Sequence, residues 1–316
     1  MKVITHQDIV DLNISPLTCY EWVSHMIANK SEAILPAKIS MKLGLGTFCN
    51  VMPGVVTMSD GKQYGGVKIV TRYPDRNPSL DSKLILFDAQ SGEIKAIMDA
   101  DWITAMRTGA VAAHSLKLFA KENFHTVGMI GLGNAARAFA LVLSDAVDKN
   151  LKVKLFRYKG QEELFAERFK NHGNLHFEYC DGYKQVIEDS DVVVSAATYL
   201  SNDLCEDSAY KEGVLVIPIH TLGFTNCDLF FDKVFADDTD HVKHFKYFNR
   251  FKSFAEVSDV INGKAAGREN VRERILTYNI GVAIHDVYFA ANIYNMLKNK
   301  NVASIDFGSP KEKFWI

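Results

Sequence analysis

Residues 129–141 read MIGLGNAARAFAL. Two glycines, one residue apart, close a short apolar run and open an alanine-rich segment of helical character. Few backbones accommodate that order. An apolar strand has to stop at Gly131, turn sharply, and enter a helix whose first N–H groups have no intrahelical partner. Gly131 permits the tight turn, and Gly133 lets a ligand come close to the backbone. Asn134 and Ala135 begin the helix, and Ala136 stands where a third glycine is commonest. The pattern predicts a helix start that takes a pyrophosphate, and so a dinucleotide site at Gly131, Gly133, Asn134 and Ala135. A glycine pair alone is weak, because many such pairs are ordinary turns; the surrounding rhythm decides.

That rhythm changes twice along the 316 residues, a length that suits two domains. Residues 1–30 read as a short strand and an amphipathic helix, with Leu17, Tyr20, Val23 and Ile27 on one face. Over 33–98, short β-like runs are separated by turn signals, of which "SDGK" and "QSGE" look like hairpin turns; this predicts an antiparallel sheet. A long helix is expected over 100–121. From about residue 124, strands such as "TVGMIG", "KVKLFRY", "DVVVSAA" and "GVLVIPI" alternate with helical segments, which implies a parallel, doubly wound sheet. After about 262 the chain is expected to be helical, with "NIGVAIHDVYFAANIYNML" returning to the first sheet.

Charge narrows the partners. There are 36 Lys and Arg against 38 Asp and Glu, a net charge of −2, so there is no global pull toward nucleic acid or an anionic membrane, and neither partner is expected. Five scattered cysteines without a C-x-x-C spacing, and a start lacking a long apolar core, are what a cytoplasmic protein with reduced thiols would show.

The second strand of the α/β part ends in "LFRYKG". An NAD site usually carries an acid there for the ribose hydroxyls. This stretch has none and offers Arg157 and Lys159 to a 2′-phosphate, so NADP(H) is favoured and NAD(H) stays open. In "YGGVKIVTRY", Lys68 points opposite to Val67 and Ile69, after two glycines that admit a close neighbour. Arg107 lies in the long helix beside Thr108 and a run of small residues. A cation in such surroundings awaits an anion. The plainer alternatives are a solvated edge-strand lysine and a salt-bridged helix arginine.

Here the chain resembles the ornithine cyclodeaminase/mu-crystallin family. The resemblance rests on the helix "DADWITAMRTGAVAAHSLKLFA" before the glycine loop, on "MPG" at 52–54, "GGVKIV" at 65–70, "NGKAAGRE" at 262–269 and "NIGVAIHD" at 279–286. It implies an α/β fold: a Rossmann doubly wound parallel sheet over 122–279, plus an antiparallel-sheet substrate and dimerisation domain formed by 1–121 with 280–316. It implies a homodimer and an NAD(H) or NADP(H) cofactor, to which Thr108 is assigned with the glycine loop. It also implies that Lys68 and Arg107 grip the carboxylate of a small amino or imino acid. Where the family carries a third cation in a P-x-R triplet, this chain has "PAK", so Lys38 takes that place, with the charge but without the bidentate fork.

A second departure bears on the reaction. Family members that cyclise ornithine carry an aspartate in the loop after the fifth Rossmann strand. In "VIPIHTLGFTNCDLF" that position falls at or near Leu222, and the nearest carboxylate is Asp228. His220 is the candidate for acid–base work there, or else a structural histidine at a strand end. "HVKH" at 241–244 has a metal-like spacing but no third ligand in view, so no metal is expected. The expected activity is hydride transfer to or from Cα of an α-amino or α-imino acid, with Lys68, Arg107 and His220 as catalytic residues. An ornithine cyclodeaminase, or a non-catalytic nucleotide-binding protein, remains as an alternative.

Overall fold

The computed structural model describes residues 1–44, 46–219, 224, 229–308 and 310–315. Its elements in chain order begin with β1 (Lys2–Ile4), α1 (His6–Val10), α2 (Pro16–Ala28), β2 (Ile39–Gly44), β3 (Thr47–Thr57), β4 (Gln63–Arg72), β5 (Leu80–Asp88), β6 (Ile94–Asp99) and α3 (Asp101–Phe119). Then follow β7 (Thr126–Ile130), α4 (Asn134–Ala146), β8 (Leu151–Phe156), α5 (Gln161–Arg168), β9 (Leu175–Cys180), α6 (Tyr183–Ile187), β10 (Val192–Ser195) and β11 (Leu215–Pro218). The chain continues through β12 (Lys233–Ala236), α7 (Thr239–Val242), β13 (Phe254–Glu256), α8 (Val257–Ile261), β14 (Ile275–Tyr278) and α9 (Ala283–Leu297).

Two sheets result. The first has the order β1-β6-β5-β4-β3-β2. Its hairpins β3–β4 and β5–β6 turn where "SDGK" and "QSGE" place them. It is not wholly antiparallel, as expected from the sequence, because β1 pairs with β6 in parallel. No hairpin joins these two strands, so no turn dictates their relative direction. Pro53 is tolerated inside β3 because the pairing with β2 stops at Val51, leaving its missing donor on an open side.

The second sheet is parallel at every described pairing, in the order β13-β12-β14-β11-β10-β7-β8-β9. The chain runs from β7 outward to β8 and β9, then returns to lay β10 on the other side of β7. That reversal opens a crevice at the carboxyl end of β7, where Gly131 follows. The expectation of helix after 262 needs correction: β14 lies in the middle of this sheet, between β12 and β11. Its four residues, Ile275–Tyr278, are buried on both faces and show no alternation, so periodicity does not mark them as a strand.

Helix α3 joins the sheets. Thirteen of its 19 residues are buried, and it packs on α2, α4 and α9. Helix α9 lies on β3 and β4, so the C-terminal segment does return to the first sheet.

Candidate active site

Alternation along β4 turns Lys68 toward α9 while Ile69 faces outward. Lys68 is fully buried; it is neither solvated nor on an edge strand. Its Nζ donates to Asp286 Oδ1 at 2.6 Å and to Thr104 Oγ1 at 3.4 Å. Arg107, from α3, donates its Nε to the same Asp286 oxygen at 3.0 Å. One carboxylate oxygen therefore faces two cations. The second, Oδ2, is buried without a hydrogen-bond partner among the described residues.

Asp286 thus uses only the Nε edge of Arg107. The two terminal nitrogens lie against Gly281, whose φ is +80°. A Cβ at that position would overlap Nη1. Glycine is needed there twice over, for the left-handed backbone and for the space the guanidinium occupies.

Lys38 completes the cluster from the residues leading into β2. Its Nζ donates to the Ile280 carbonyl at 3.2 Å, beside Gly281. Its charge is felt together with those of Arg107, Asp237 and Asp286. Asp237, at the end of β12, accepts from Gly281 N at 2.9 Å and from Asn279 Nδ2 at 3.2 Å, fixing the segment that carries Ile280. Three cations therefore face two carboxylates.

The electrostatics follow from burial. Removal from water pushes the Lys38 ammonium down to about 8, helped by Arg107 and opposed by the two aspartates. Burial pulls Lys68 below the ordinary lysine range, against the opposing pull of Asp286. The cations hold Asp286 below the usual carboxylate value despite its burial. Burial raises Asp237 and pushes the neighbouring His285 down to about 3, so that imidazole is neutral. A largely buried site with surplus positive charge suits a small anion, most simply a carboxylate.

The glycine loop fits a dinucleotide on three observations. Gly131 has φ +81°, and a Cβ there would come within 2.7 Å of the Ala196–Ala197 backbone. Gly133 is the N-cap of α4 and makes no side-chain cap, so the N–H groups of Asn134 and Ala135 are left for a phosphate. A Cβ on Gly133 would meet nothing within 4 Å, so its lack of a side chain serves open space rather than packing. The two sites are joined through Gly109: a Cβ there would overlap the backbone of Ala138 and Phe139, so α3 and α4 touch main chain to main chain.

Other sequence-predicted residues are placed as follows. Thr108 is buried and donates its hydroxyl to the Thr104 carbonyl at 2.6 Å, within its own helix. Arg157 stands just past the carboxyl end of β8, half-exposed, with its guanidinium over the Tyr179 ring at 5.2 Å. Lys159 has φ +54° and lies over Tyr158. Arg157 has acidic neighbours from elsewhere in the chain: Asp181 pairs with it at 3.3 Å, and Glu162 approaches it at 4.0 Å while accepting from Tyr158 N. His220, Leu222 and Asp228 lie outside the described residues. The sequence reading missed Asp286, Asp237 and Gly281 as site residues. A charge at 286 in an otherwise apolar helix was the available signal.

A profile of the ornithine cyclodeaminase/mu-crystallin family matches residues 31–301. The chain belongs to this family. It is 26% identical over 294 residues to the nodulation efficiency protein NfeD of Rhizobium meliloti, covering 85% of this chain and 86% of that protein. It is 26% identical over 274 residues to a Delta(1)-pyrroline-2-carboxylate reductase of Bacillus cereus, covering 80% and 83%. In fold it is similar to the Delta(1)-pyrroline-2-carboxylate reductase of Thermococcus litoralis, solved with NADH and L-proline. The TM-score is 0.84 at 22% identity, over 97% of this chain and 100% of that one.

Proposed function

We propose that this protein is a nicotinamide-dependent oxidoreductase that reduces an α-imino acid to the α-amino acid, or runs the reverse reaction. The observation that carries the reading is the gathering of Lys38, Lys68 and Arg107 around Asp286, one helix away from a dinucleotide-type loop. The reductase name borne by a relative matched over most of both chains supports it.

The free edge of Arg107 meets both oxygens of the substrate carboxylate in one plane, and Lys68 and Lys38 add point charges. Asp286 holds the two buried cations in place through one shared oxygen. Gly131, Gly133, Asn134 and Ala135 would hold the pyrophosphate of a nicotinamide dinucleotide, which would supply hydride chemistry when bound. The carboxylate grip fixes which carbon faces it, and the reacting C=N, entering protonated, takes the hydride at carbon to give the amine.

The same reading assigns 122–279 to the cofactor and 1–121 with 280–316 to substrate and dimerisation. The exposed Ile39, Met41, Leu43 and Ile69 of the first sheet favour a homodimer. NADP(H) is the proposed cofactor, on the strength of Arg157 and Lys159; Asp181 takes part of the Arg157 charge, which keeps the preference modest.

The test is NAD(P)H oxidation with a panel of cyclic and open-chain α-imino acids. Turnover with these, and none with the corresponding imines lacking the carboxylate, is the expected result. Ammonia release from ornithine without net change in cofactor would replace the reductase by a cyclodeaminase. Tight cofactor binding without turnover on any of them would leave a binding protein.

A further inference from the structure

The "HVKH" spacing that suggests a metal is resolved otherwise by the fold. His241, on α7, is buried. Its Nδ1 lies 2.7 Å from Asp238 Oδ1. Its Nε2 accepts the backbone N–H of Lys38 at 3.3 Å. An imidazole nitrogen that accepts is unprotonated, so the proton sits on Nδ1 and is donated to Asp238. Asp238 is itself fixed: Lys30 pairs with its other oxygen at 2.7 Å, and with Glu256 at 2.6 Å. Glu256 in turn accepts from Thr239 N and Oγ1, at the start of α7. The imidazole therefore has little freedom to rotate.

We propose that His241 is a positioning residue for substrate binding, holding the backbone at Lys38 so that the Lys38 ammonium stays over the carboxylate site. The argument is one of geometry and entropy. Lys38 precedes β2, all six residues of which are exposed, so the first sheet gives this segment little packing. A lysine replaces the planar fork usual at the P-x-R position and carries four rotatable bonds, so its charge is only as well placed as its backbone. Two contacts hold it: Nζ on the Ile280 carbonyl and N–H on His241. The second comes from the opposite sheet's end of the molecule, so it also ties the lysine to the β12–α7 corner that fixes Gly281 through Asp237. The proposal rests on the carboxylate-grip reading above, but the contact itself is testable without it.

The experiment compares His241→Ala, His241→Gln and Lys38→Ala, alone and combined, in the full-length protein. Glutamine keeps an acceptor for the Lys38 N–H and a donor for Asp238, without a ring. Expected for His241→Ala is a KM for imino acid raised about tenfold with kcat changed less than about twofold. His241→Gln should return KM to within about twofold of the parent. On a Lys38→Ala background, His241→Ala should add nothing further. Hydrogen exchange at the Lys38 amide should quicken in His241→Ala and stay slow in His241→Gln.

Independent, multiplying effects of the two alanine variants overturn the proposal, as does unchanged exchange at Lys38. A Lys38→Ala enzyme with parental KM shows instead that the grip reading is wrong. Should His241→Ala fail to fold, as read by its melting curve, His241→Phe, which keeps a ring but neither nitrogen, takes its place against Lys38→Ala with the same outcomes expected.

Discussion

The two sheets bury their faces in opposite ways. In the parallel sheet, β10, β11 and β14 are buried at every residue, and all but Ser195 and Thr277 of these are apolar. Its chemistry is confined to the strand ends, at Gly131, Gly133 and Arg157. In the first sheet, a lysine stands in the middle of β4, under a helix, at zero exposure. Such a charge is expensive to bury unless paired, and Asp286 from α9 supplies the pair. The parallel sheet would present backbone to the proposed cofactor at its strand ends, and a buried lysine of its own, Lys154, is taken up by the Gln185 and Glu188 carbonyls. The first sheet would present side chains, and carries the proposed substrate site where a core would otherwise be.

If that contrast is right, the largest stability loss among site variants comes from the middle of the first sheet. Lys68→Met leaves Asp286 buried with Arg107 alone and is expected to lower stability by about 3–5 kcal/mol. Arg157→Ala, at the end of a strand of the other sheet, should lower it by less than about 0.5 kcal/mol. Urea unfolding of both variants decides, and equal losses would dissolve the distinction. Next in size is Arg107→Ala, which removes the bidentate contact. It is expected to lower kcat/KM by about 2–4 kcal/mol, roughly 30- to 1000-fold, with cofactor affinity unchanged. Near-normal activity in a folded Arg107→Ala protein would remove the site from the first sheet altogether.

Gly133→Thr, which adds a Cβ but remains a competent N-cap, sharpens the backbone side of the comparison. Its Cβ meets open space, so the melting temperature should hold while cofactor affinity falls about 10- to 100-fold, as fluorescence titration would show. A matching loss of stability would mean that the glycine serves packing. Arg157→Ala should weaken NADPH about tenfold and NADH less than twofold; equal losses would end the NADP(H) preference.

The smallest effect is a pH dependence. Lys38 is charged below about pH 8 and neutral above it. The kcat/KM for a carboxylate substrate should therefore fall as pH rises through 8, by at most about tenfold per unit. Lys38→Arg stays charged and should change the position or depth of that limb; a limb left unchanged belongs to Lys68, which burial also pulls down.

Much of this was legible beforehand because it is local. The glycine loop, the two hairpin turns and the position of α3 each depend on a few adjacent residues. So does the outward or inward sense of Lys68, which follows from alternation on one strand. What escaped is what the fold brings together from afar. Asp286 meets Lys68 across 218 positions of chain, and His241 meets Lys38 across 203. No spacing rule encodes either. Strand β14 escaped for another reason: four apolar residues buried on both faces have no period to read. The acid beside Arg157 was sought in the adjacent residues, whereas Asp181 comes from the end of the neighbouring strand.

Gly109 and Arg107 are two positions apart on α3, and so about 200° apart around its axis and 3 Å along it. One side touches the helix of the glycine loop; the other holds the anion anchor. The helix thus works as a gauge block whose thickness sets the offset between anchor and cofactor. In the proposed reaction, a compound can lengthen freely on the far side of its reacting carbon. It cannot lengthen between that carbon and the carboxylate without carrying the carbon past the hydride. β-Imino acids should therefore be refused whatever their bulk, by a dimension of the backbone that no reshaping of the pocket walls would relax.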